Sequence, residues 1–316
     1  MDIIYIVLGL ILLFAGGEVL LKASISIAGK LGLSALLVSM VVIGFGTSTP
    51  ELIVTLSAAF KGSTPIAFGN VVGSNIANVL LILGIASLTT PMICKKPEIH
   101  RDAWIVLAAC TSLAGLSLWG TIERWVGLSM VLLMVSYMAY SYRQEKRKNK
   151  VKPFPAGIEK EVGTQNLGWI QIIILTIASL GSLAAGSWFL VEGSTAIAAR
   201  MGIPESVIGL TLVAVGSSLP ELTMVILAAA RKNSDVIMGN ILGSNLFNTL
   251  GILGITSMAI PLPFPKHIAH IDIWVMLGIM VLLIPITRTG HRINRFEGAF
   301  FLCLYSAYIV WLYTAI

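Results

Sequence analysis

Two short stretches carry residues able to do chemistry inside an otherwise apolar chain. Gly46 to Leu52 reads GlyThrSerThrProGluLeu, and Gly216 to Leu222 reads GlySerSerLeuProGluLeu. Each sets a carboxylate directly after a proline, with hydroxyls just before it. Glu51 and Glu221 are separated by 170 residues, and so are all the other matched positions of the two stretches. An acid among apolar residues of a spanning helix costs several kcal/mol unless something pairs with it, so two acids at equivalent places predict one shared cation site.

The next apolar segment of each half carries a partner motif, GlyAsnValValGlySerAsnIleAlaAsn at Gly69 to Asn78 and GlyAsnIleLeuGlySerAsnLeuPheAsn at Gly239 to Asn248. Ser74 and Asn78 are four apart, as are Ser244 and Asn248, so each pair faces one side of its helix. Asn78 and Asn248 are read as oxygen donors to a metal. Asn70, Asn240, Asn75 and Asn245 are read as bonds between helices. Gly73 and Gly243 let their helices bend or approach closely.

Pro50 lies within an apolar run, where it lacks an N–H and its ring crowds the carbonyl of Gly46. The helix should open there, with Gly44 and Gly46 easing the distortion. Freed carbonyls and the hydroxyls of Thr47 and Ser48 could then turn toward a cation. Pro220 should do the same to Gly216. A kinked packing helix would explain one such copy; two copies, each with Glu after Pro, favour ion binding.

The elements that must position these residues are membrane spans. The 316 residues are 56% hydrophobic and 11% charged, with mean hydropathy +0.90, against roughly 25% charged in a soluble domain. A net charge of +6 would suggest nucleic acid in a soluble protein; here the basic residues fall between apolar runs and set orientation instead. No Lys or Arg precedes the apolar run from Ile3, which continues as a span rather than a cleaved leader. Cys94, Cys110 and Cys303 show neither CxxC nor His spacing, so no disulfide framework or zinc site is indicated.

At about 20 residues per spanning helix, spans are expected at 3–27, 34–60, 64–89, 102–119, 123–142, 168–198, 205–230, 234–260, 271–287 and 296–315. The fold expected is an all-α integral membrane protein of ten transmembrane helices, with helices 2, 3, 7 and 8 broken. Residues 1–142 form one five-helix repeat, 143–167 a cytoplasmic linker, and 168–316 the second repeat. The match extends through Gly16 and Gly186, His100 and His270, Asp102 and Asp272, and Trp104 and Trp274, then continues one residue out of step at Gly127 and Gly298 and at Tyr137 and Tyr308. Five spans per repeat is odd, so the repeats lie upside down relative to each other.

Basic residues concentrate in one set of loops: Lys30, Lys95, Lys96, Arg101, the cluster from Arg143 to Lys160, Arg231, Lys232, Arg288, Arg292 and Arg295. The other set holds Lys61, Arg124, Arg200 and Lys266. The positive-inside rule places both termini outside the cell membrane and the linker in the cytoplasm. Glu18 and Lys22, four apart in the first span, are expected to pair or to lie near the interface, and Glu192 lies in the sixth.

Hard cations want oxygen, and Ca²⁺ takes about six to eight such ligands. Glu51 and Glu221 supply two negative charges, with Thr47, Ser217 and nearby carbonyls to fill a shell. His100, His267, His270 and His291 all lie at span ends and form no cluster for zinc or copper. No nucleophile and base pair or metalloenzyme spacing appears, so catalysis is not expected.

Ten spans in two inverted halves, together with these paired motifs, closely resemble the alpha repeats of the sodium/calcium exchanger branch of the calcium/cation antiporter superfamily, in its minimal prokaryotic form. The resemblance implies a calcium site of Glu51, Glu221, Thr47 and Ser217. It further implies sodium sites drawing on those acids with Ser48, Ser218, Ser74, Ser244, Asn78, Asn248 and the carbonyls of Gly44 and Ala214. Asn248 stands where many relatives carry the Asp tied to potassium, which argues against potassium dependence. Ser217 replaces a common Thr, a mild change. The function implied is Na⁺/Ca²⁺ antiport by alternating access, with those ions and lipid as the partners, no cofactor and no obligatory protein partner. A proton/calcium antiporter is the nearest alternative and a passive cation channel a more distant one.

Overall fold

The computed structural model describes residues 2–147, 167–201 and 214–315. Most of the expected linker and the start of the seventh expected span lie outside them. The first half contains α1 (Asp2–Leu31), α2a (Ala35–Thr47) and α2b (Thr49–Phe60), α3 (Thr64–Thr89), α4 (Pro97–Ser117) and α5 (Arg124–Arg147). The second contains α6 (Trp169–Arg200), α7a (Ala214–Ser217) and α7b (Leu219–Ala230), α8 (Ser234–Ala259), α9 (Ile273–Arg288) and α10 (Arg295–Ala315).

Among the described residues, seven helices are long and apolar enough to cross a membrane, or eight if the bent α2 pair is one span. α4 has the length but opens with Glu98, Arg101 and Asp102, which lowers its hydropathy; α7b is only the part of a broken span that follows Ser218, and the start of that span lies outside the described residues. α8 is wholly enclosed and α3 nearly so, whereas α1, α5, α6 and α10 turn most of their residues outward. The outward residues of α1 include Ile3, Ile4 and Ile11, side chains suited to hydrocarbon rather than water.

Inversion can be read from the contacts of α1 and α6, which are repeat equivalents. Asp2 pairs with Arg200 at one end, and Lys30 lies over the Trp169 ring, 5.7 Å from its centre, at the other. The two helices therefore run antiparallel. They cross where a Cβ on Gly9 would stand 2.8 Å from the Gly186 carbonyl oxygen and one on Gly186 2.9 Å from that of Gly9. Side chains larger than hydrogen would push the backbones apart.

The same approximate twofold relation recurs outside this pair. Gly84 of α3 meets Gly298 of α10, and Gly254 of α8 meets Gly127 of α5, each glycine within 3.1 Å of the other's carbonyl oxygen if given a Cβ. Two antiparallel ribbons repeat it in the loops. β1 (Met92–Ile93) pairs with β4 (Arg292–Ile293) on the face that carries the ends of α1 and α5, called here the linker face. β2 (Thr121–Ile122) pairs with β3 (Leu262–Pro263) on the far face. Each ribbon joins one half to the other.

The breaks that proline predicted form two residues before each proline. α2a and α2b meet at Ser48 (φ −83°, ψ 9°) with a 42° bend, and α7a and α7b meet at Ser218 (φ −90°, ψ 8°). Pro50 and Pro220 then occupy the first turn of the following helix, where a missing N–H costs nothing. In α3 and α8 the interruption takes another form. Both helices continue, widening into π-helical turns at Asn78–Ile82 and Phe247–Ile252, which shifts hydrogen bonds by one residue and is frequent at functional sites. A third π-turn, Ser39–Gly44, precedes the break in α2.

Candidate ion-binding site

Glu51 and Glu221 sit in the first turns of α2b and α7b, and each is at most 2% exposed. Both breaks turn toward the middle of the molecule, and each hands its serine to the other half's acid. Ser48 Oγ donates to Glu221 Oε1 at 2.8 Å, and Ser218 Oγ donates to Glu51 Oε1 at 3.4 Å. Ser218 also reaches Ser74 Oγ at 3.4 Å. A single enclosed centre thus draws on α2, α3 and α7 and on both halves.

The remaining expected donors surround it. Thr47 Oγ1 donates to the Ile43 carbonyl at 3.0 Å and lies 3.4 Å from Asn240 Oδ1. Ser244 Oγ donates to the Gly44 carbonyl at 3.0 Å, so two expected donors are bonded to each other. Gly44 makes that possible: a Cβ there would fall 2.9 Å from the Ser244 nitrogen. Asn78 Nδ2 donates to Asn245 Oδ1 at 3.0 Å, and Asn248 is fully buried. Ser217 ends α7a and is partly exposed; Ala214 begins that helix.

Four buried oxygens in this region lack a hydrogen-bond partner among the described residues: Glu51 Oε2, Glu221 Oε2, Asn78 Oδ1 and Asn248 Oδ1. Leaving such atoms unsatisfied is expensive. Two carboxyl and two amide oxygens, with hydroxyls beside them and no sulfur or imidazole, suit a hard cation. The π-turns account for the amides, since Asn78 and the neighbour of Asn248 each open one.

Several residues read as structural behave so. Asn70 Nδ2 donates to the Glu51 carbonyl at 3.0 Å and to Thr55 at 2.9 Å, and Asn240 Nδ2 to the Glu221 carbonyl at 3.4 Å, bracing each acid from behind. Asn75 Nδ2 donates to Thr249 Oγ1 at 2.9 Å. Ser187 of α6 bonds the Gly216 carbonyl; nothing in the motifs pointed to it. Glu18 corrects an expectation: its oxygen lies 2.6 Å from Arg231 Nη2 at the end of α7b, so its partner is 213 residues away rather than Lys22.

Comparison with known proteins shows the family and the fold. The family model described as sodium/calcium exchanger protein matches residues 1–143 and 171–314. The chain is 30% identical to the sodium/calcium exchanger MaX1 of Methanosarcina acetivorans, covering 99% of this chain and 98% of that one. It is 24% identical to the Ca²⁺/H⁺ antiporter ChaA of Bacillus subtilis over 84% of this chain and 79% of that one. Among solved structures, it matches the sodium-calcium exchanger NCX_Mj soaked with Na⁺ and Sr²⁺ at 27% identity and a TM-score of 0.83, covering 98% and 97% of the two chains.

Proposed function

We propose that this chain, which belongs to the sodium/calcium exchanger protein family, is a secondary active antiporter that moves Ca²⁺ against Na⁺ through the centre built by Glu51 and Glu221. The observation that carries this is the reciprocal bonding of Ser48 to Glu221 and Ser218 to Glu51. Because each acid leans on the other half's break, the two halves share one load.

Coupling follows from that sharing. Glu51 and Glu221, with Thr47, Ser217 and nearby carbonyls, hold Ca²⁺ when loaded from one side. Ser48, Ser218, Ser74, Ser244, Asn78, Asn248 and the carbonyls of Gly44 and Ala214 complete Na⁺ sites on the same acids. The two loads exclude each other, and bare carboxylates in a low-dielectric setting resist the change of side. Asn248 brings an amide rather than a charge, which favours Na⁺ and Ca²⁺ over a potassium-dependent cycle. The repeats are assigned to 1–142 and 168–316, with 143–167 between them. The basic linker face is assigned to the cytoplasm and both termini to the outside.

A proton-coupled cycle is the second reading, supported by the similarity to ChaA. Isotope flux in proteoliposomes separates the two: Na⁺, K⁺ and pH gradients are imposed one at a time, and Ca²⁺ uptake is followed. Uptake is expected with the Na⁺ gradient alone. Uptake driven by pH without Na⁺ would assign the proton cycle instead, and Na⁺-driven uptake surviving Glu51→Gln or Glu221→Gln would remove the central site.

A further inference from the structure

Asp102 and Asp272 are repeat equivalents in matching surroundings, yet only one is neutralised by a permanent cation. On the linker face, Asp102 of α4 is held by Arg101, whose Nη2 lies 2.7 Å from Oδ1, and by the hydroxyl of Tyr137; Arg101 also bonds Gln144. On the far face, Asp272 keeps the tyrosine bond, from Tyr308 at 2.9 Å, but position 271 is Ile. Its partner is His267 at 3.0 Å, an imidazole 45% exposed that is charged only when protonated. The Asp272 side chain is 9% exposed. A π-helical turn, Ile268–Asp272, puts these two on one side of the chain.

Asp272 also borders a cavity of about 470 Å³ between α2b, α3, α7a, α10 and the π-turn that precedes α9. Its lining runs from Pro65 at the far-face end of α3, past Gly69, Asn70 and Gly73, to Ser74, with Ser217 opposite. Along this strip of α3, Pro65 and Gly69 are exposed, Asn70 and Gly73 half-buried and Ser74 buried, so the strip narrows toward the centre. Ser74 there meets Ser218, which bonds Glu51.

We propose that Asp272 is a receiving site for hard cations, Na⁺ or Ca²⁺, arriving at the far face, placed outside the Glu51 and Glu221 centre and opening into the cavity that leads to it. Its carboxylate and the Tyr308 hydroxyl are the first oxygens offered, and Asn70 and Ser74 continue the polar lining inward. A carboxylate between low-dielectric walls focuses the field and raises the local cation concentration. Asp102 cannot serve the linker face in this way, because the Arg101 guanidinium already occupies it. This proposal rests on the reading of Glu51 and Glu221 as the ion site.

The test uses the full-length chain in right-side-out and everted membrane vesicles loaded with Na⁺, with Ca²⁺ presented at one face at a time. Asp272→Asn is expected to raise the half-saturating Ca²⁺ at the far face about 5- to 10-fold, and to raise its ratio to the linker-face value by the same factor. Ile271→Arg, which gives the second half the guanidinium that occupies Asp102, is expected to do likewise without removing the acid. Asp272→Glu should stay within about 2-fold, and His267→Gln should not raise the far-face value. An unchanged ratio in both Asp272→Asn and Ile271→Arg would overturn the proposal, as would an equal rise at both faces. Glu51→Gln is run in parallel. Exchange surviving there counts against the central site, while the face ratio alone decides the role of Asp272.

Discussion

Ser48 bonds Glu221 and Ser218 bonds Glu51, one arrangement stated twice, whereas Asp102 and Asp272 are equally well matched in sequence and sit in different company. At the centre the two halves bond each other directly, and a change in one alters the surroundings of the other. Around Asp102 and Asp272 each acid meets residues of its own half. Duplicated residues there can take up separate partners, Arg101 in one case and His267 in the other. Symmetry is therefore kept where the two copies touch the same thing and lost where they do not.

The largest effect should come from the most symmetric pair. Glu51→Gln and Glu221→Gln are each expected to lower Na⁺-driven Ca²⁺ uptake by about 100-fold or more, since removing one member of a buried charged set costs several kcal/mol. Full activity in one and loss in the other would break the equivalence of the halves. A smaller effect separates Gly243 from Gly73. A Cβ on Gly243 would stand 2.3 Å from the Met40 carbonyl oxygen, while one on Gly73 meets no described atom within 4 Å. Gly243→Ala should cost about 1–3 kcal/mol of stability, by overpacking against backbone, and Gly73→Ala much less. Thermal unfolding in detergent, followed by tryptophan fluorescence, ranks the two. The smallest difference is between the serines. Ser48→Ala, which deletes the 2.8 Å bond, should raise half-saturating Ca²⁺ by about 3- to 10-fold. Ser218→Ala, which deletes bonds of 3.4 Å, should raise it less, and the reverse order in a flux titration would show that bond length at rest does not rank the two sites.

Sequence legibility followed the same division. The constant spacing of 170 residues marked the paired motifs, and the odd number of spans marked the inversion that Gly9 and Gly186 display. Pro50 and Pro220 announced the breaks in α2 and α7, because proline acts on its own helix. The π-turns at Asn78 and Phe247 had no such local marker: α3 and α8 were expected to be broken, and no residue type said that they would widen instead. The two-residue ribbons are too short for any periodicity to appear. Apart from the meeting of the two acidic motifs, partnerships across the fold escaped the sequence. Glu18 was read with its neighbour Lys22 because i and i+4 is all that a helix reveals, while Arg231 reached it through packing.

The ribbons have a mechanical meaning. β1 fastens to β4 on one face and β2 to β3 on the other, and backbone bonds from Cys94 to His291 and from Phe264 to Gly120, both 2.8 Å, extend each clasp by a residue. Stitched at top and bottom, the bundle that carries α4, α5, α9 and α10 has little freedom to yawn apart like a clam. In the proposed antiport cycle the centre would open to alternate sides by travel of α1 with α6, which neither ribbon ties down and which are zipped to each other at Gly9 and Gly186, so that they would ride across the bundle as one sliding shutter.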